Sequence, residues 1–215
     1  MKKKLLIFDL DGTIADTIYS IRDAVNLTLA EYGMAERSYE EIRCSIGNGA
    51  RELIRLSLPE CKRNDATLVD RVFADYDKTY AKTYANVGGC YDGMSEALHV
   101  LHQRGYVLTV LSNKQDTYTK KIIAHLFPDG IFSFIQGQTQ APRKPDPTVP
   151  LEIAEKFGAS PCECAFIGDS DVDVRTAKNA GMTAIACPWG YRPRETLTDA
   201  DVMLEYPLQL IEIFE

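Results

Sequence analysis

The sequence predicts an α/β fold built on a mainly parallel sheet, with a helical segment inserted near its start. Three observations carry this. Short β-rich apolar runs at Leu5–Phe8, Val107–Leu111, Ala165–Ile167 and Thr183–Cys187 alternate with stretches of helical period, the pattern of strand–helix–strand units. Between the first two runs lie about seventy residues of helical period with no strand pattern, which read as a separate helical unit. Polar residues Asp9, Asp11, Ser112 and Asp169 stand where strands exit, the end of a parallel sheet at which ligands collect.

Taken in order, Leu5-Leu6-Ile7-Phe8 is a buried strand ending on Asp9-Leu10-Asp11-Gly12-Thr13. Asp16 is positioned to cap a helix with Ile18, Ile21, Val25 and Leu29 inward and Gly33 past its end. Ser38 and Glu41 form a capping box for a short helix. Gly47-Asn48-Gly49 turns the chain into another short helix, whose apolar face is Ala50, Leu53, Ile54 and Leu58. Asp65 starts a longer helix with Leu68, Val72, Phe73, Tyr76 and Tyr80 inward. A helix through Met94, Ala97, Leu98 and Leu101 closes at Gly105, and the strand Val107–Leu111 ends at Ser112-Asn113-Lys114. Tyr118, Ile122, Ile123 and Leu126 mark the next helix, Phe132–Ile135 a short strand, and Arg143-Lys144-Pro145-Asp146-Pro147 a rigid loop. Val149, Ile153 and Phe157 mark a helix, Ala165–Ile167 a strand running into Gly168-Asp169, and the following helix ends at Gly181. Thr183–Cys187 is one more strand, and an apolar helix from Leu208 to Phe214 closes the sequence.

The 215 residues suit a core with a smaller insert. A net charge of −7 argues against a nucleic-acid binder, which needs a basic surface to neutralise phosphates. Met1-Lys2-Lys3-Lys4 with Leu5–Phe8 imitates a signal peptide, but Asp9 ends the apolar run too early, and no stretch reaches membrane-spanning length. These features predict a cytoplasmic protein with no membrane partner. The six cysteines fit reduced thiols, since Cys162-Glu163-Cys164 lacks the spacing of metal or redox pairs. His99, His102 and His125 have no ligand spacing.

The chemistry concentrates in the carboxylates. Asp9 and Asp11, two residues apart in extended chain, face the same way and repel unless a cation, proton or ligand relieves them. Alone, Asp-x-Asp-Gly is equally a turn. Asp169 and Asp173 add to the charge, and oxygen-only ligands favour Mg²⁺. Asp169-Ser170-Asp171-Val172-Asp173 opens like a calcium loop, yet Val174 and Ala180 occupy the positions that need Gly and Glu, and the extra acid Asp171 reads as solvated. A carboxylate beside such a cation can attack phosphorus. Thr13, Ser112 and Lys144 supply hydroxyl, N–H and cationic groups for phosphate oxygens, and Asp11 a proton for a leaving alkoxide. Trp189, Tyr76, Tyr80 and Tyr84 read as packing residues.

In this order these motifs resemble the haloacid dehalogenase superfamily, and within it the phosphoglycolate phosphatase-like branch, along the whole sequence. The resemblance implies a Rossmann-like catalytic core (1–14 and 87–215) with a helical cap (15–86) inserted after the first motif. It makes Asp9 the nucleophile, Asp11 the acid/base, Ser112-Asn113 the phosphate-binding second motif, Lys144 the third, and Gly168-Asp169-Ser170 with Asp173 the fourth. Mg²⁺ would be held by Asp9, the Asp11 backbone carbonyl and Asp169, with Asp173 supporting. The implied activity is Mg²⁺-dependent hydrolysis of small phosphate monoesters through an aspartyl-phosphate, by a monomer or homodimer. Ile46-Gly47-Asn48-Gly49-Ala50 is similar to a cap segment of that branch, making Gly49 and Arg51 candidates for substrate selection, with Arg55 as alternate. Competing readings are a sugar-phosphate mutase, a pyrophosphatase, a phosphonate hydrolase using Lys62, Lys78 or Lys82, a dehalogenase, a non-catalytic scaffold, and a receiver-type signalling domain.

Overall fold

The computed structural model describes residues 3–214, so Met1 and Lys2 of the signal-like start lie outside the described residues. The chain divides into two compact units, one reaching to Asp16 and resuming at Gly89, the other spanning Thr17–Gly88.

The Thr17–Gly88 unit is helical, with α1 (Ile18–Glu31), α2 (Tyr39–Ser45), α3 (Ala50–Ser57) and α4 (Ala66–Thr83). Ile18, Ile21, Val25 and Leu29 of α1 are buried, and α1 packs on α4. Ser38 and Glu41 close the capping box, and Asp65 caps α4 by accepting from Leu68 N–H at 3.0 Å. Two expectations shift. Val69, not Leu68, is the fully buried residue in the first turns of α4, and Phe73 is only half-buried. Asp16 does not cap α1: Thr17 holds that position, and the Asp16 carboxylate instead accepts from Tyr191 OH at 3.0 Å. Asn26 ties the inter-helix segment by donating to Arg37 C=O and accepting from Arg37 N–H.

The other unit is a six-stranded parallel sheet of β1 (Leu5–Phe8), β2 (Val107–Gln115), β3 (Phe134–Gln138), β4 (Cys164–Gly168), β5 (Thr183–Ala186) and β6 (Val202–Met203). Helices α5 (Met94–Gln103), α6 (Asp116–Leu126), α7 (Thr148–Lys156), α8 (Asp171–Asn179) and α9 (Gln209–Ile213) accompany it. The strand order β3-β2-β1-β4-β5-β6 reverses direction at β1/β4 and is that of the Rossmann fold. A receiver domain has the order 2-1-3-4-5, so this topology removes the receiver reading. β1 is the central strand. Leu5 lies opposite both Val107 and Cys164, and all four β1 side chains are fully buried, at about 1.5–3 kcal/mol each.

The edges depart from the sequence expectation. β2 does not stop at Leu111; it runs through Ser112-Asn113-Lys114 to Gln115, with a register shift against β3 after Leu111. Ser and Asn have poor strand propensity, and Asn113 is held extended by bonds to the Lys144 backbone. β3 begins at Phe134, two residues later than expected, because Phe132 leaves the sheet direction to pack edge-on against Phe8 and Phe127. The two-residue β6 has no readable pattern, and α9 is shorter than its apolar run. Among the described residues no helix is long and apolar enough to cross a membrane.

Candidate active site

The sheet's switch point brings the ends of β1 and β4 side by side. Asp9 follows β1, donates its N–H to Ile167 C=O at 2.9 Å, and is 8% exposed. Its Oδ1 accepts from Leu10 N–H at 2.7 Å and lies 3.0 Å from Lys144 Nζ. Gly12 then turns the chain at φ +82°, so close to Asp169 that a Cβ would collide with that carboxylate. Gly168, at the end of β4, is equally tight against Asp173.

Asp9, Asp169 and Asp173 are all buried and each offers a carboxylate oxygen, the three lying within 4.8 Å of one another. Lys144, 4% exposed, places its ammonium 2.7 Å from Asp173 Oδ1 as well as beside Asp9. The other Asp173 oxygen accepts from Ser170 N–H and Oγ, which completes the cap of α8. Asp169 accepts from Thr13 Oγ1 at 3.1 Å and from Tyr191 N–H at 2.7 Å.

One ammonium does not neutralise three buried carboxylates. Burial pushes the Asp9 carboxyl up to about 7; Lys144 works against that rise, and Asp173 and Asp11 add to it. Burial, then Asp173 and Asp9, hold Asp169 well above the usual carboxylate range. Burial alone would depress Lys144, yet Asp173 and Asp9 outweigh it and raise its pKa, so it stays charged. An unrelieved, all-oxygen cluster of this kind fits a hard divalent cation.

The remaining site residues divide. Ser112 is buried, and its Oγ accepts from Lys114 N–H at 3.3 Å. The Asn113 side chain bonds the Lys144 backbone in both directions, at 3.1 and 3.0 Å, and so fixes the loop that delivers Lys144. Thr13 is tied into the site through three groups. Its hydroxyl goes to Asp169, its N–H to Leu10 C=O, and its C=O accepts from Trp189 Nε1 at 3.1 Å. Asp11 turns its carboxylate to Lys114, whose Nζ lies 3.0 and 3.2 Å from the two oxygens. Lys114 was not among the expected site residues, although strand alternation places it on the same side as Ser112.

Away from this cluster, Asp171 is the solvated acid the sequence suggests, its side chain exposed on the surface of α8 and paired there with Arg175 at 2.8 Å. On the helical unit Gly49 caps α3 at φ +85°, Arg51 Nε binds Asp70 at 2.6 Å, and Arg55 binds Glu52. Lys62, Lys78 and Lys82 are exposed, and the Asp75 carboxylate raises the Lys78 pKa, the reverse of what a Schiff-base amine needs. His99 pairs with Asp129 at the surface.

An open parallel sheet with buried carboxylates and a lysine across its switch point defines an α/β enzyme whose chemistry sits at the strand ends. Within that class the chain belongs to the haloacid dehalogenase-like hydrolase family, whose pattern matches residues 6–187. A Psychrobacter arcticus protein named phosphoglycolate phosphatase is 30% identical over 97% of both chains. A Haemophilus influenzae protein of the same name is 32% identical over 87% of both. A crystal structure from Haemophilus somnus, described as a predicted phosphoglycolate phosphatase, has a TM-score of 0.91 at 25% identity and covers 99% of this chain and 98% of its own.

Proposed function

We propose that the chain is a Mg²⁺-dependent phosphatase of small, phosphoglycolate-like phosphate monoesters, working through an aspartyl-phosphate on Asp9. The observation that carries this is the buried trio of Asp9, Asp169 and Asp173 with Lys144 between two of them. The names of the relatives support the same substrate class. Asp9 and Asp169 would hold Mg²⁺, which would supply charge neutralisation for the phosphoryl oxygens.

The chain's own groups do the rest. Leu10 N–H and Lys144 fix Asp9 Oδ1, which orients the carboxylate for attack. An Asp9 oxygen bonds to phosphorus as the bond from phosphorus to the ester oxygen breaks, and Asp11 delivers a proton to that oxygen. Water then attacks phosphorus, Asp11 takes its proton, and the Asp9–phosphorus bond breaks to release phosphate. Lys144 and the Ser112 hydroxyl stabilise the phosphoryl oxygens. Thr13 and Tyr191 position Asp169, and Asn113 positions Lys144.

In this reading residues 17–88 act as the cap that screens substrates, with Gly49 shaping the start of α3. Arg51 already has Asp70 as its partner. The reading is tested with a panel of phosphate monoesters in Mg²⁺ and in EDTA. Mg²⁺-dependent turnover of small monoesters is expected; full activity of metal-stripped protein, or no turnover of any monoester, contradicts it.

A further inference from the structure

Resting on that reading, we infer that Lys114 recognises a carboxylate on the leaving group, making this a phosphatase for esters that carry an acid on the carbon next to the ester oxygen. Lys114 meets Asp11 through both carboxylate oxygens, at 3.0 and 3.2 Å, and the two side chains are only 7% and 12% exposed. The ammonium therefore sits beside the group that hands a proton to the leaving oxygen, whereas Lys144 stands with Asp9 and Asp173 at the phosphoryl side. The two lysines serve opposite ends of the scissile bond.

Reach decides which substrate this position suits. A leaving oxygen hydrogen-bonded to Asp11 lies about 2.5–3.0 Å from a carboxylate oxygen, hence within roughly 6 Å of Lys114 Nζ. In an O–CH₂–COO⁻ group, the acid's oxygens lie about 3–4 Å from the ester oxygen, by ordinary bond lengths. They fall where the ammonium can bind them while still facing Asp11. A second anion several bonds further away overshoots. Lys114 is also held from behind. Its N–H donates to Ser112 Oγ and its C=O accepts from Thr119 Oγ1, each at 3.3 Å. Gly137 packs so close to that carbonyl that a Cβ would clash. A cation fixed this way and shielded from water pairs far more strongly than Arg51, whose partnership with Asp70 is at the surface.

The test compares phosphoglycolate with ethyl phosphate, which keeps the ester and two-carbon chain but lacks the acid, in the Mg²⁺-loaded enzyme. Wild type should prefer phosphoglycolate. Lys114→Met should lose about 10-fold or more in kcat/KM on phosphoglycolate beyond its loss on ethyl phosphate, mainly through KM. Lys114→Arg should keep part of the preference and guards against a folding defect in the first variant. Equal losses on both esters would reduce Lys114 to a positioning residue for Asp11 and overturn the inference. So would a wild-type enzyme that turns over both esters without preference. Failure on every monoester would instead overturn the phosphatase reading beneath it.

Discussion

The surface charges of the helical unit and the buried charges of the α/β unit are arranged in opposite ways. In the helical unit they are one-to-one surface pairs, such as Arg51–Asp70, Arg55–Glu52 and Lys78–Asp75, two of them at helical i,i+3 spacing. Each is screened by water and contributes little to stability. In the α/β unit one lysine is shared between two carboxylates, a third stands beside them, and all are buried. Removing charges from water costs several kcal/mol per ion, and incomplete pairing does not recover it. A fold retains such an arrangement for chemistry, while the surface pairs serve solvation.

The sharpest test of this contrast is between two acids two residues apart in sequence yet in different settings: Asp169 in the cluster and Asp171 on the surface of α8. Asp169→Ala should raise the Mg²⁺ concentration needed for half-maximal activity by at least about 10-fold, while Asp171→Ala, which loses only the pair with Arg175, should change it little. Mg²⁺ titrations of the two variants check this; the reverse ranking would misplace the metal site.

A second difference appears in stability against pH. With its carboxyl raised from 3.8 to about 7 by burial, Asp9 binds more protons in the folded than in the unfolded state between about pH 4 and 7. Its stabilising contribution is present below that window and is lost as pH rises through it. In EDTA, the melting temperature of Asp9→Asn relative to wild type should therefore climb from pH 4 to 7. Saturating Mg²⁺ should shrink the gap. A gap that is flat with pH contradicts the frustration assigned to the cluster.

The smallest effect belongs to the surface. Arg51→Ala should change stability by no more than about 0.5 kcal/mol in urea melts, and KM for phosphoglycolate by less than about 3-fold. A 10-fold rise in that KM with p-nitrophenyl phosphate unaffected would return substrate selection to Arg51.

Much of this contrast was legible in the sequence. β1 is apolar on both faces because parallel strands are buried twice, and its two terminal carboxylates could not be core residues. The capping box at Ser38 and Glu41 and the helical periods of the inserted unit read directly. What stayed hidden depends on tertiary partners. Asn113 and Thr13 have side chains that suit a phosphate, and only the fold shows Asn113 bonded to the Lys144 backbone and Thr13 to Asp169. Lys114 lies beyond the apolar run that marks its strand, so only the extension of β2 to Gln115 shows which side it takes. The Asp16–Tyr191 bond joins residues 175 apart in sequence, which no local pattern reports.

Acid-quenching the Mg²⁺-loaded enzyme during turnover of phosphoglycolate, followed by borohydride reduction and peptide mass analysis, tests most directly whether Asp9 carries the phosphoryl group. Borohydride reduces an acyl phosphate to the alcohol, so position 9 should be recovered in part as homoserine, and only when substrate was present. Asp9→Asn, treated identically, should show no reduced residue and turnover lower by about 1,000-fold or more. Reduction at any other carboxylate, or steady turnover with Asp9 unmodified, would contradict the account.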